Sequence, residues 1–277
     1  MKASPDSSDG AVGTLTGMGV QPAGFHFRFS ELQLRLLSIV VFFAAWQIAG
    51  LVPISPAFPT FSATMVAMFD MTLDGSLLAA YVETLKPLVL GVGISAVFGV
   101  AIGVSMGLYK SSRWLWEPIF VVLQASPVAA LIPLITYAYG IGLTAKTVAV
   151  IILASPIIVL NTYKAVGNAS PVLIQMCRSF QGTRLQEIWK VIIPNAAPVI
   201  FAGLRLGVAA GFIGVILAEL LITPTGVGDI ISYNRSIANY PAMYAAVLSI
   251  IVFSAVMVSL LEKAEVRYFR PEKKRGH

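Results

Sequence analysis

Six runs of mostly apolar residues dominate the sequence, and each is close to the roughly 20 residues that a helix needs to cross a bilayer. Only helices and closed barrels satisfy all their backbone hydrogen bonds inside a bilayer, and runs of this length are typical of helices. Charged residues make up 12% of the chain and hydrophobic residues 57%, whereas soluble domains average about 25% charged residues. The sequence therefore predicts an all-α membrane protein with six transmembrane helices, at 34–52, 85–108, 117–139, 147–163, 199–222 and 243–261.

Lys and Arg residues are distributed unevenly between the segments that connect these runs. If the N-terminus lies inside, fifteen of them fall on the inner segments and only Lys86, Lys146 and Arg235 on the outer ones. An excess of Lys and Arg marks the cytoplasmic side, so we predict that both termini are cytoplasmic. This topology explains the net charge of +6 without nucleic acid as a partner. The predicted regions are a flexible cytoplasmic tail at 1–33, a transmembrane domain at 34–262 and a basic cytoplasmic tail at 263–277.

The stretch between the fourth and fifth runs, residues 165–195, is polar enough to leave the membrane and carries four charged side chains. Ser170 is suited to cap a helix that has Pro171 at its first position, where the missing N–H costs nothing. Gly182 suits the left-handed residue that ends this helix. The stretch therefore predicts a helical hairpin, and it lies on the cytoplasmic side because it follows four crossings.

A second short helix is predicted after the turn of this hairpin. Thr183 can cap it, with Gln186 three residues later as the partner in a capping box. Pro194 is expected to end it. A compact amphipathic hairpin of this kind is expected to dock onto another protein. Its apolar face recurs at helical spacing and consists of Leu185, Ile188, Trp189 and Ile192.

Small residues and prolines are placed inside the apolar runs. Gly99, Gly103 and Gly107 recur at four-residue spacing and form a stripe for close helix contact in the second span. The stripe suits packing inside this subunit or contact with a second copy. Pro127 and Pro133 are free to kink the third span.

Polar side chains inside the predicted spans are candidates for a translocation pathway, because such residues in a membrane usually have a function. The candidates are Asn161, Arg205 and Glu219. Arg205 lies near the cytoplasmic end of its span, where it can also extend to the membrane surface. Glu219 lies near the outer end, where it either braces the following loop or faces a cavity. Asn161 either contacts solute or pairs with other helices.

No pattern in the sequence predicts bond-making chemistry. Two His residues and the single cysteine, Cys177, provide neither a metal-ligand cluster nor an intrachain disulfide. The chain has no glycine-rich phosphate-binding loop that ends in Lys-Ser or Lys-Thr, so we expect ATP to be hydrolysed by a separate subunit. We therefore predict no catalytic residue, no cofactor and no metal.

The hairpin also contains a degenerate form of a known loop pattern, which reads E-A-A, three residues, Gly, nine residues, Ile, any residue, Leu, Pro. The matching residues are Gln175, Met176, Cys177, Gln181, Val191, Ile193 and Pro194, of which only the proline is literal. Further similar segments are 127–133, 139–142, 160–163, 203–206, 218–219 and 226–228. This combination resembles the membrane-spanning permease subunits of binding-protein-dependent ABC importers, most closely their nitrate/sulfonate/taurine branch.

The resemblance implies the type I ABC importer permease fold and a multi-pass protein of the cell inner membrane. The implied partners are two cytoplasmic ABC ATPase subunits, a second permease subunit in a homodimer, membrane lipid, and a periplasmic or lipid-anchored solute-binding protein. The implied ATPase-coupling residues are Gln175, Met176, Cys177, Arg178, Phe180, Gln181, Gly182, Arg184, Leu185 and Pro194.

The transported molecule implied by the resemblance is a small, anionic solute of the nitrate, sulfonate or taurine type. One alternative is a permease of the same family for another small solute, such as a pyrimidine vitamin precursor. An ATP-independent carrier is a second alternative, and it needs an intramembrane coupling group or inverted repeats. A third alternative, a membrane-embedded enzyme, needs a catalytic group of His, Asp, Glu or Cys near the membrane surface, and the sequence shows no such group.

Overall fold

The computed structural model describes residues 31–52, 57–222 and 225–269, and all regular secondary structure in these residues is helical. The predicted tail residues 1–30 and 270–277 lie outside the described residues. The chain divides into two compact units, Met1–Ala44 and Ala45–His277. In the first unit the described part is the beginning of α1. The helices are α1 (Glu31–Leu51), α2 (Phe61–Leu73), α3 (Ser76–Leu108), α4 (Lys110–Ala125), α5 (Val128–Tyr139), α6 (Leu143–Gly167), α7 (Pro171–Ser179), α8 (Arg184–Gln186), α9 (Ile193–Leu221), α10 (Val227–Ser236) and α11 (Tyr240–Phe269).

Four helices in the described part of the chain are long and apolar enough to cross a membrane. They are α3, α6, the continuous helix Arg184–Leu221 that contains α9, and α11. The pair α4 and α5 reaches this length only when the two are taken together. The apolar part of α1, Leu36–Leu51, is shorter. The structure thus supports a multi-pass helical membrane protein with four or five spans, and the count of six stays a prediction.

The predicted third span, 117–139, is not one helix. α4 and α5 meet at an angle of 104° across a short break at Ser126 and Pro127. Ser126 is extended, as expected of a residue before proline, which is driven out of the helical conformation. Pro127 then precedes the first residue of α5. The expected kink at Pro127 is therefore present, but it is large enough to make this segment a broken span or a re-entrant loop.

The most buried of these spans, α6, lies between α3 and α9 and makes its most extensive contacts with these two helices. A Cβ on Gly103 would lie 2.6 Å from Thr162 Cβ, and one on Gly107 would lie 2.5 Å from Val166 Cγ1. The stripe on α3 therefore packs inside the subunit, which is one of the two predicted alternatives. Three glycines of α9 also approach α6 closely: Gly203, Gly207 and Gly214.

The helix that was expected to end at Pro194 continues to Leu221, so this prediction is wrong. α8 runs into a π-helical turn, Glu187–Ile192, and this turn runs into α9. Pro194 is the second residue of α9, two positions after the wider π-helical turn ends at Ile192. A proline normally interrupts the hydrogen-bond ladder and clashes with the preceding turn. The hydrogen-bond pattern changes from π-helical to α-helical at this junction, so the missing N–H of the proline falls where the ladder is already irregular. Helical turns of the π type often mark functional sites.

Candidate functional site

The hairpin (residues 170–194) forms around α7 and α8. Pro171 occupies the first turn of α7 as predicted, whereas Ser170 holds the N-cap position without a side-chain capping bond. The backbone N–H of Ser170 instead donates to Asn195 Oδ1, at 3.3 Å. This bond joins the start of the hairpin to the start of α9, so the two arms are tied together at their base.

The turn between α7 and α8 places its left-handed residue one position earlier than predicted. Gln181 has φ +54°, and Gly182 does not have a positive φ. The N–H of Gln181 donates to Arg178 O at 2.9 Å and that of Gly182 to Cys177 O at 3.0 Å, which is the Schellman pattern of helix endings. Gly182 is needed for space, because a Cβ there would lie 2.5 Å from Cys177 Sγ and 2.9 Å from Cys177 O. Gln181 thus adopts the conformation at the position where the known loop pattern has its glycine.

The predicted capping box at the start of α8 is confirmed. Thr183 Oγ1 accepts from the N–H of Gln186 at 3.3 Å, and Gln186 Oε1 accepts from the N–H of Thr183 at 2.9 Å. The two residues satisfy donors at the helix N-terminus that no helical carbonyl can reach.

A buried carboxylate holds the two arms of the hairpin together. Both oxygens of Glu187 accept from Arg178, at 3.1 Å each, and Arg184 Nη1 donates to Oε1 at 3.3 Å. The hydrogen bond to Glu187 raises the pKa of the Arg178 guanidinium. The apolar face predicted for α8 is only partly buried, because Leu185 and Trp189 are exposed. Arg178 and Arg184 therefore act within the hairpin as well as on its surface.

A cleft of about 500 Å³ opens between the two arms of the hairpin. Five of the predicted coupling residues line it: Met176, Cys177, Phe180, Gly182 and Pro194. The other five lie on the hairpin outside this cleft: Gln175, Arg178, Gln181, Arg184 and Leu185. Lining residues that the sequence did not single out as coupling residues are Leu173, Gln186, Lys190, Val191 and Asn195. The loop pattern already contained Val191, which was the available signal. Phe180 is 80% exposed at the edge of this cleft, so the hairpin offers an apolar surface to a partner.

A second polar site, the outer cluster, lies at the end of the bundle that the charge pattern predicts to be outside. Glu219 is buried, and its Oε1 accepts from Lys146 Nζ at 3.0 Å. Its Oε2 accepts from the N–H of Gly228 at 3.0 Å. Thr84 Oγ1 lies 3.0 Å from both carboxylate oxygens. We define the outer cluster as Thr84, Lys146, Glu219 and the backbone of 225–228.

Lys146 was assigned to an outer loop from the sequence, but its side chain is buried in the outer cluster. Its ammonium donates to three acceptors, which are Glu219 Oε1, Thr225 O at 3.0 Å and Thr225 Oγ1 at 2.8 Å. A carboxylate predicted inside a span needs a countercharge at a similar depth, and Lys146 at the outer end of the fourth run was the available signal. Of the two alternatives for Glu219, the contacts match the one in which it braces the following loop.

The other two pathway candidates also contact neighbouring helices. Arg205 pairs with two carboxylates of α11, Glu262 at 3.2 Å and Glu265 at 3.7 Å. Asn161 donates to the carbonyl of Ile157, and its Cβ faces Gly203 of α9. The three candidates are thus spread along α6 and α9 rather than brought together, and their place in a pathway stays a prediction. Among the described residues, no group of three or more His, Cys, Asp and Glu could hold a metal ion.

Residues 96–269 match the family described as the binding-protein-dependent transport system inner membrane component. The taurine transport system permease protein TauC of Escherichia coli (strain K12) is 27% identical over 216 residues, which cover 75% of this chain and 78% of that protein. The riboflavin transport system permease protein RibX of Chloroflexus aurantiacus (strain ATCC 29366 / DSM 635 / J-10-fl) is 29% identical over 244 residues, which cover 86% and 89%.

A similar fold occurs in the crystal structure of an amino acid ABC transporter with histidines. The TM-score is 0.59 and the identity 19%, and the match covers 74% of this chain and 98% of that one. Together with the helical bundle described above, the match to the family over more than half of the chain shows what kind of protein this is. The chain belongs to the binding-protein-dependent transport system inner membrane component family and is a membrane permease subunit of an ABC transporter.

Proposed function

We propose that this permease subunit forms the translocation pathway for a small, anionic solute of the taurine and sulfonate type. The hairpin couples this pathway to a separate ATPase. The observation that supports the coupling is the cleft in the hairpin, which is lined by Met176, Cys177 and Phe180. The second arm of this hairpin continues without a break into a candidate span. An exposed apolar cleft of this kind suits a docking surface for a folded partner.

The continuous helix gives the proposed coupling a mechanical route. Arg184–Leu221 contains 38 residues, and an α-helix of this length spans about 57 Å at 1.5 Å per residue. A displacement of the hairpin therefore moves one end of this continuous helix, and Glu219 lies near its other end. Rigid movement of packed helices is a common means of switching between two states.

The proposed assembly follows the importer resemblance. It contains two cytoplasmic ATPase subunits, a second copy of this permease in a homodimer, and a solute-binding protein outside, periplasmic or lipid-anchored. The proposed topology has six spans in the cell inner membrane, with both termini and the hairpin in the cytoplasm. Asn161, Arg205 and Glu219 remain the proposed pathway residues, with Glu219 acting through the helices that it connects.

A solute of another class is the alternative, and the similarity to the riboflavin permease favours it. Uptake of labelled taurine by cells that express the complete transporter distinguishes the two, with unlabelled riboflavin and an alkanesulfonate as competitors. Competition by the sulfonate alone supports the anionic solute. Uptake that continues after ATP depletion identifies an ATP-independent carrier and contradicts the proposal.

Phe180→Asp tests the coupling. Phe180 is exposed and lines the cleft, so a carboxylate there introduces a charge into the proposed docking surface without removing a core contact. We expect the ATPase to be lost from the purified complex while the permease remains in the membrane at the normal level. Ile237→Asp, at an exposed apolar residue after α10, is the matched control and should leave the association unchanged. Normal association of the Phe180 variant contradicts docking at the hairpin.

A further inference from the structure

The N-terminus of α10 obtains its caps from other helices. Gly226 holds the N-cap position and offers no side-chain bond. The N–H of Val227 donates to Thr84 Oγ1 of α3 at 3.0 Å, and that of Gly228 donates to Glu219 Oε2 of α9 at 3.0 Å. A carboxylate at this position also complements the positive end of the helix dipole. Two separate helices thus fix the start of α10.

Two glycines allow the backbone to wrap around the Glu219 side chain. Gly226 has φ +89°, and a Cβ there would overlap the Glu219 carboxylate. A Cβ on Gly228 would overlap the Cβ of Glu219. Because neither position has room for a side chain, the segment 225–228 follows the carboxylate closely, and the segment has to move when the carboxylate moves.

The buried ammonium of Lys146 connects Glu219 to the segment before α10. All three donors of Lys146 have acceptors, and two of these acceptors belong to Thr225, immediately before Gly226. A buried ion pair is costly unless every member is satisfied, and a satisfied pair fixes one geometry for its partners. The outer cluster therefore holds α3, α6, α9 and the segment before α10 in one fixed arrangement.

We propose that Thr84, Lys146 and Glu219 form a joint through which the outer end of α9 sets the position of α10, and that they are positioning residues for transport. This inference rests on the proposed function, in which the hairpin moves with the ATPase. The continuous helix Arg184–Leu221 connects that hairpin to Glu219, and Glu219 caps α10. A movement that starts at the ATPase thus reaches the predicted outer surface through one carboxylate.

Thr84→Val tests the joint, with Thr162→Val as the matched control. The two threonines undergo the same chemical change and are equally buried, at 1% and 0% exposure. Thr84 donates to Glu219 and accepts from Val227, whereas Thr162 Oγ1 has no hydrogen-bond partner within the described ranges. Hydrogen exchange of the full chain in nanodiscs is measured over 225–236 and over 143–167.

In Thr84→Val we expect exchange over 225–236 to accelerate about tenfold, as expected for the loss of one capping bond. Exchange over 143–167 should change less than about twofold, and Thr162→Val should change neither region. A purely structural role predicts faster exchange throughout the bundle. That result, or equal exchange in Thr84→Val and Thr162→Val, overturns the proposal.

A second measurement tests transmission through the joint. In the wild-type complex, a non-hydrolysable ATP analogue bound to the ATPase should alter exchange over 225–236. In Glu219→Gln this response should disappear while the ATPase still co-purifies. An undiminished response overturns the proposal. A wild-type chain that binds no ATPase refutes the proposed function instead, and in that case the comparison of the threonine variants alone decides whether the joint exists.

Discussion

The hairpin and the outer cluster both use a buried glutamate with basic partners, but they differ in where the cations lie. In the outer cluster the Glu219 and Lys146 side chains are 0% and 4% exposed. In the hairpin the Glu187 side chain is 6% exposed, whereas Arg178 and Arg184 are 58% and 66% exposed. Water can therefore satisfy the remaining donors of the two arginines. The ammonium of Lys146 depends on the protein for all of its hydrogen bonds.

This difference indicates how strictly each region is specified. A buried cation tolerates few changes of geometry, because an unsatisfied charge in a low-dielectric surrounding is costly. Partly exposed ion pairs contribute less and adapt more easily. A strict outer cluster suits a joint, and a tolerant hairpin suits a surface that adjusts to a partner.

Lys146→Met should have the largest effect. It leaves the buried Glu219 carboxylate without its cation, and breaking a buried pair in this way costs about 3–5 kcal/mol. For a protein of this size the Tm should fall by on the order of 10 °C, measured on the purified chain in detergent.

Two further variants serve as its controls. Arg178→Met in the hairpin should lower the Tm much less, because the guanidinium is largely exposed. Lys146→Met combined with Glu219→Met removes both charges and should recover part of the loss. Equal decreases for Lys146→Met and Arg178→Met would remove the distinction between the two regions.

Glycine-to-alanine substitutions test the same comparison at the backbone. Gly226→Ala meets the Glu219 carboxylate at a positive φ, and we expect a destabilisation of at least about 2 kcal/mol. Gly182→Ala meets Cys177 at an ordinary φ, and about 1 kcal/mol is expected because one of the two contacting atoms is a movable sulfur. Chemical denaturation of both variants measures which substitution lowers the free energy of unfolding more. A larger effect at Gly182 contradicts the stricter specification of the outer cluster.

Gln181→Gly should give the smallest change and one of opposite sign. A left-handed conformation costs a non-glycine residue about 1–2 kcal/mol, and the greater freedom of glycine in the unfolded chain offsets part of the gain. Hydrogen exchange over 171–186 should slow by about threefold, consistent with a net gain below about 1 kcal/mol. Gln175→Gly, in the interior of α7, is the control and should accelerate exchange. A faster rate for Gln181→Gly shows that the glutamine side chain stabilises the turn.

Local rules predicted much of the hairpin from the sequence. The capping box of Thr183 and Gln186 and the position of Pro171 depend on residues a few positions apart, so their spacing is sufficient evidence. The left-handed residue was predicted at Gly182, because glycine has the strongest preference for that conformation. Gln181 adopts this conformation instead, and Gly182 leaves room for Cys177. This contact joins residues five positions apart in one helix ending, and the preference of glycine for a left-handed conformation does not reveal it.

The outer cluster shows why other parts could not be predicted. Lys146 and Glu219 are 73 residues apart. Their similar predicted depth was a signal, but no local spacing rule pairs a basic residue at the start of one span with an acid in another. Similarly, Pro127 predicted a kink, but the size of the bend between α4 and α5 depends on the helices around it. The continuation through Pro194 depends on a π-helical turn that propensities do not reveal.

The separation within the buried ion pair also has a consequence for biosynthesis. Lys146 leaves the ribosome 73 residues before Glu219, and at about 5–20 residues per second this interval lasts roughly 4–15 seconds. During that time α6 has no countercharge from α9, so its ammonium has to stay near the lipid headgroups or in the insertion machinery. The central helix of the bundle can therefore settle at its final depth only after one of its two flanking helices has been translated.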